Sequence, residues 1–356
     1  MRRRVAAGVG FAALLFLLVQ LGALALVPTF YESGYQTVED PSDPTNSLVY
    51  IVAILVATAA MLAAFKFDLD WVVRAFVVLA AASISWYVFS VLLPPLAAIG
   101  ASILLAALLV IHPEWYVIDA AGVLMGAGAA GLFGISFGLL PAILLLSVLA
   151  VYDAISVYGT EHMLDLASGV MDLKLPVVLV VPTTLSYSLR DTDAAETVSE
   201  AGGDDAHGND DDGGDADAVD GAAAVGEDAD SDGREDEPAA QVDAATADGD
   251  EHDDDVRDAF FIGLGDAVMP TVMIASAAFF LPASLTPSLG VPWLPALTLP
   301  ALTAMVGTFA GLFVLLWMVL KGRAHAGLPL LNGGAIGGYL AGALASGVPI
   351  LTALGL

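Results

Sequence analysis

About nine stretches, most of them near twenty apolar residues long, run through this chain with short polar breaks between them, and no soluble fold buries that pattern. They lie at residues 5–27, 47–65, 72–93, 96–111, 117–137, 141–158, 259–281, within 294–320, and from about 328 onward. The expected fold class is an all-α polytopic membrane protein of about nine transmembrane helices. The first stretch follows three arginines, as a signal peptide does. Its apolar run is long for one and no small-residue cleavage site stands out, so an anchor helix is expected. Between stretches four and five, Pro113 breaks the helix and Trp115 suits the membrane interface.

Charge supplies the remaining organisation. Of 40 acidic residues, 27 fall in 191–258, a low-complexity run that repels itself and cannot form a core. The chain is therefore expected to divide into helices one to six (1–158), a cytoplasmic loop holding a short apolar strand-like segment and a disordered acidic linker (159–258), and helices seven to nine (259–356). The loop has no EF-hand spacing, which favours a solvated linker over a cation site. The net charge of −29 speaks against nucleic-acid partners and is what a salt-rich cytoplasm favours, as in a halophilic archaeon. The absence of cysteine excludes thiol nucleophiles, disulfides and Cys-type metal centres. The five histidines show no HExxH spacing, so no metal and no cofactor are expected.

Orientation follows from the basic residues. With the amino terminus inside and nine spans, Arg2, Arg3, Arg4, Lys66, Arg74, Lys174, Arg190, Arg234, Arg257, Lys321 and Arg323 all fall on the cytoplasmic side. These are all the Lys and Arg in the chain, whereas Glu32, Glu39, Asp40 and Asp43 fall outside. The expectation is a multi-pass cell-membrane protein with its carboxyl terminus outside.

Three carboxylates interrupt the apolar spans, where a charge costs a few kcal/mol or more. Asp119 opens span five, close enough to the interface to be hydrated. Asp153 lies about five residues before the inner end of span six, and Asp266 about seven residues after the inner start of span seven. At 1.5 Å per residue both sit roughly 8 to 11 Å below the cytoplasmic surface, where antiparallel helices can bring them face to face. Two carboxylates in a low-dielectric site tend to share one proton, so one serves as general base on water and the other as acid to a peptide carbonyl. They titrate as a unit, and neither role is assigned to one residue. Beside Asp266, Gly263 and Gly265 leave room for another backbone, or else form a small-residue helix contact.

Tyr152-Asp153 in one span, followed by Gly263-Leu264-Gly265-Asp266 in the next, resembles the signature of the presenilin and signal-peptide-peptidase family. A third family element, Pro-Ala-Leu at the start of the last span, corresponds to Ala326-Gly327-Leu328-Pro329. Here Ala326 replaces the first proline and Gly327 replaces alanine. Span count, inside amino terminus and the long loop between the aspartate spans extend the resemblance over the whole chain, and Trp115 to Asp119 add a weaker feature. The resemblance implies an intramembrane aspartyl endopeptidase of the GxGD type, with Asp153 and Asp266 catalytic. Gly263, Leu264, Gly265, Leu328 and Pro329 would lie beside substrate. The implied partners are the lipid bilayer and transmembrane helices or signal-peptide remnants as substrates; accessory subunits are left open.

One segment is too short to span a membrane. Residues 175–182 are β-branched and bounded by prolines, which reads as a strand or as an interfacial re-entrant piece. A helical substrate must unwind before water reaches its peptide bonds, and its freed backbone groups then need partners. The edge at Val178 and Val180 is expected to supply them, so that proline at either position lowers turnover. Tyr152 is placed to hydrogen-bond near Asp153 or to pack. Glu161, His162, Asp165 and Asp172 read as a solvated face. The alternative function is a proton- or ion-coupled transporter or channel using the aspartates as a relay, with Gly122–Gly138 and Pro292–Pro300 as broken-helix segments.

Overall fold

The computed structural model describes residues 2–159, 177–182, 259–321 and 326–356. Glu161, His162, Asp165, Asp172 and the acidic run 191–258 lie outside the described residues, as do Lys174, Arg190, Arg234, Arg257 and Arg323.

The described chain is a helical bundle: α1 (Arg2–Glu32), α2 (Thr45–Lys66), α3 (Asp70–Leu92), α4 (Pro95–Ile111), α5 (Trp115–Ser136), α6 (Leu139–Gly159), then β1 (Val178–Pro182), β2 (Ala259–Gly263), α7 (Leu264–Phe280), α8 (Leu299–Val319), α9 (Gly327–Ala345) and a final turn, α10 (Ile350–Ala353). Seven of these helices are long and apolar enough to cross a membrane, and two more apolar helices, α4 and α7, have 17 residues each. The nine apolar helices match the expected spans in number and order.

α5 is the most buried of the seven membrane-length helices, and α1, α3, α7 and β1 pack around it. Its glycines explain the closeness. A Cβ at Gly22 of α1 would lie 2.8 Å from Ala127 of α5, one at Gly128 2.7 Å from Val88 of α3, and one at Gly131 3.2 Å from Phe30. Between helices in lipid there is no hydrophobic drive, so small residues and close van der Waals packing hold the bundle. α2, by contrast, stands at the periphery, with the whole of its most apolar stretch unburied by protein.

α8 and α9 form the tightest pair. Gly307 and Gly311 on one helix face Gly334, Gly338 and Gly342 on the other. A Cβ on Gly307 would strike the carbonyl of Gly334, one on Gly311 that of Leu330, and one on Gly338 that of Thr303. The four-residue spacing keeps each set on a single face, so the two backbones touch. α8 starts with Thr298 accepting the Ala301 N–H at 3.4 Å, with Pro300 in the first turn.

The seventh span departs from expectation. Residues 259–263 are not helical: Ala-Phe-Phe-Ile-Gly forms strand β2, antiparallel to β1, with Val178 opposite Gly263 and Pro182 opposite Ala259. A short apolar run cannot be told from a buried strand by periodicity, and here β1 offers the partner. α7 then covers only about 25 Å, and the strand ahead of it takes up the rest. The expected strand at 175–182 is present as β1.

Candidate active site

Asp153 and Asp266 reach one place from two helices. Asp153 is carried by the last turns of α6, whereas Asp266 is the third residue of α7 and not seven residues inside a helix. Both are partly buried. What joins them is the start of α9. The Leu328 N–H donates to Asp153 Oδ2 at 3.0 Å, and the Gly327 amide is directed at the same carboxylate. On the other side, a Cβ added to Gly327 would lie 3.3 Å from Asp266 Oδ2 and 3.3 Å from Leu315. The Gly327-Leu328 backbone thus lies against both carboxyl groups. Glycine at 327 keeps a methyl group off Asp266.

α9 is held in that position by more than the α8 glycines. Asn332, fully buried, donates from Nδ2 to the Leu146 carbonyl of α6 at 3.0 Å, two turns from Asp153. Pro329 and Asn332 line a groove of about 250 Å³ between α6 and α9, with Ala150 and Ala154 opposite. In α7, Pro270 has no N–H to return to Asp266, four residues earlier, and so leaves that carbonyl without its usual helical donor.

Gly263 and Gly265 do not have positive φ, so backbone freedom is not why they are glycine. A Cβ at Gly263 would lie 3.5 Å from Asp266 Oδ2, whereas at Gly265 nothing stands within 4 Å. Gly265 is exposed, next to the carboxylate, with open space before it. Leu264 is buried against α5, lying 3.3 Å from where a Cβ on Gly126 would be. Tyr152 is 42% exposed on α6.

Two expectations change. Asp119 is not hydrated: it is 3% exposed, and its Oδ1 accepts the Val180 N–H of β1 at 2.7 Å. A position at the start of an apolar span reads as interfacial, but β1 packs against it here. The Val180 N–H is therefore already engaged and is not open to a pairing strand. The register agrees, since the Leu264 N–H donates to the Val177 carbonyl at 2.9 Å. With those two hydrogen bonds fixed, Leu179 and Val181 direct their backbone groups to β2, whereas Val178 and Val180 direct theirs toward α5. On β2 the outward positions are Phe261 and Gly263, and no partner for the Phe261 N–H is found among the described residues. The strand expected within 175–182 is present, but the Val180 N–H expected to be open at its edge is taken by Asp119.

Among the described residues, no three His, Cys, Asp or Glu side chains gather as metal ligands would. Fold and site together define a multi-span helical membrane protein with an aspartate pair bridged by a backbone loop. A family profile described as signal-peptide peptidase, presenilin aspartyl protease matches residues 13–348. Two solved structures of a presenilin family intramembrane aspartate protease, in the C222 and P2 space groups, are similar. The first is 27% identical, with a TM-score of 0.57, covering 95% of this chain and 99% of that one. The second is 28% identical, with a TM-score of 0.55, covering 94% and 96%. Among curated proteins none matches. The chain belongs to the signal-peptide peptidase and presenilin aspartyl protease family.

Proposed function

We propose that this protein hydrolyses peptide bonds within transmembrane segments or signal-peptide remnants, with Asp153 and Asp266 as its catalytic pair in the GxGD manner. The observation that carries the reading is that carboxyl groups delivered by α6 and α7 both lie against the Gly327-Leu328 backbone. One carboxylate takes a proton from water as the water attacks the scissile carbonyl. The other carboxyl, still protonated, donates to the carbonyl oxygen; as the tetrahedral intermediate collapses it takes that proton back, while the first carboxyl passes the proton from water to the leaving amine. The Leu328 N–H orients Asp153 for this work, and Gly265 leaves the space in which a substrate backbone approaches.

Substrate is held as an extended strand. A helix cannot be cut while its carbonyls are internally bonded, and an unwound segment in lipid needs outside partners. The free edge of β2 at Phe261 and Gly263 ends three residues before Asp266, so a strand added there runs past the pair. Orientation is proposed from charge: the amino terminus, the hairpin and the aspartate pair face the cytoplasm, and the carboxyl terminus lies outside. The packing supports one shared level, because the early residues of α1 (Gly8, Ala12), Val181 and Ile262 of the hairpin and the end of α8 surround a single small cavity.

The transporter alternative has less support. Residues 122–136 lie in an unbroken helix whose glycines are used in packing, and 292–298 form a connection ahead of α8 and not a broken span. The test is cleavage of a transmembrane reporter peptide by the protein in liposomes at high salt. Asp153→Asn and Asp266→Asn are each expected to abolish it while leaving the thermal transition in place. An inert wild type, or cutting by either variant, would overturn the assignment, and ion flux would be measured next.

A further inference from the structure

Asp119 is a carboxylate with no part in the proposed chemistry, buried in the first turns of the central helix. Its Oδ1 accepts the Val180 N–H, 61 residues further along the chain, and its Oδ2 is buried with no hydrogen-bond partner among the described residues. Leaving a carboxyl oxygen desolvated and unpaired is costly, so the one bond it does make is held against that cost. The same face of α5 continues the contact. Gly122, three residues on, has a Cβ position 3.0 Å from Leu179 of β1, and Gly126, seven on, has one 3.3 Å from Leu264. Asp119, Gly122 and Gly126 therefore form one stripe on which β1 and then the Gly-Leu-Gly-Asp turn are seated.

A small-residue stripe without the acid would let the hairpin slide, because packing of Leu and Val against glycine is not directional. A hydrogen bond from one particular amide is. Since the side-chain period of a strand is two, a slip of one residue along α5 would exchange the faces of β1 and carry β2 with it. It would also move the β2 edge relative to Asp266, which begins α7 directly after that strand.

The geometry points to Asp119 as a positioning residue: by holding the Val180 amide it fixes the hairpin's register on α5, and so sets which peptide bond of the substrate lies between the two aspartates. This rests on the proteolytic reading above. It adds a residue that sets the position of cutting without touching substrate.

The test uses the full chain in detergent, in wild type and in Asp119→Ala, Asp119→Asn and Val180→Pro. Val180→Pro removes the donor from the other end of the bond, at a position whose N–H faces away from β2, and decides the question if Asp119→Ala fails to fold. Two readouts are taken: amide hydrogen exchange across 177–182 and 259–263, and the masses of the products from a transmembrane peptide. Asp119→Ala and Val180→Pro are each expected to speed exchange of the hairpin amides by on the order of tenfold or more. Both should also spread cleavage over neighbouring bonds, and the double variant should be no worse than either alone. Asp119→Asn, which keeps an acceptor oxygen, should retain the wild-type products. Unchanged exchange in both donor and acceptor variants overturns the proposal. So does a lowered thermal transition with an unaltered product pattern, since that is a merely structural role. If wild type cuts nothing, the proteolytic reading fails, and the exchange experiment still decides whether Asp119 clamps the hairpin.

Discussion

Removing a single backbone hydrogen tests the site more sharply than removing a carboxylate. Leu328→Pro deletes the N–H that donates to Asp153 Oδ2 at 3.0 Å. The substitution falls in the first turn of α9, where helix N–H groups lack intrahelical acceptors and proline is tolerated, and the residue before it is glycine. A hydrogen bond to a charged group contributes about 1.5–3 kcal/mol, and 1.36 kcal/mol is tenfold in rate. The expected loss in kcat/KM for a transmembrane peptide is therefore roughly tenfold to hundredfold. It should be incomplete, because the Gly327 amide is directed at the same carboxylate. Leu328→Ala is the control. It trims a partly buried side chain that packs with α6 to α9, at a stability cost of about 1–2 kcal/mol, but keeps the N–H. Kinetics on detergent-solubilised protein, with thermal unfolding measured alongside, separate the two. Wild-type kcat/KM in Leu328→Pro, or an equal loss in Leu328→Ala, would refute the idea that this amide orients Asp153.

Asp153→Asn and Asp266→Asn should each reduce peptide cleavage to background, and the pair together should be no worse than either, since the two act as a unit. Gly265→Leu should leave the thermal transition largely unchanged, because nothing stands within 4 Å of a Cβ at that position, yet lower kcat/KM at least tenfold, read in the same peptide assay. Wild-type kinetics there would place substrate elsewhere. Phe261→Pro removes an outward N–H from β2 without touching the bonds to β1, so peptide turnover should fall well below that of Phe261→Ala, and equal rates would argue against strand addition at this edge.

Much of the architecture is legible because membranes impose it. Nine apolar runs lead directly to the helices seen, and the depth of Asp153 and Asp266 in their spans is enough to set the two side by side. What periodicity cannot supply is the partner of a short apolar segment. Residues 259–263 are as apolar as the helix they precede, and only β1, far off in the chain, makes them a strand. The distance of Asp119 from a helix end measures its depth but not what covers it. The signal available was its spacing to Gly122 and Gly126, three and seven residues on, which marks one face. Which way the Val180 amide points depends on register, which the contacts of Val180 with Asp119 and of Leu264 with Val177 define together.

The glycines of α9 differ in how far each can be changed. Gly338 is sealed against the Thr303 carbonyl of α8, while Gly337, its neighbour in the chain, faces outward with nothing within 4 Å of a Cβ. Two adjacent, identical letters thus stand at opposite ends of mutational tolerance. Alanine at 337 should restrict the unfolded chain and stiffen the helix by up to about 1 kcal/mol, whereas alanine at 338 would prise the helix pair apart. A more thermostable protein for handling in detergent is therefore reachable from the lipid-facing side of α9, without disturbing the helix that brings Gly327 to the two aspartates.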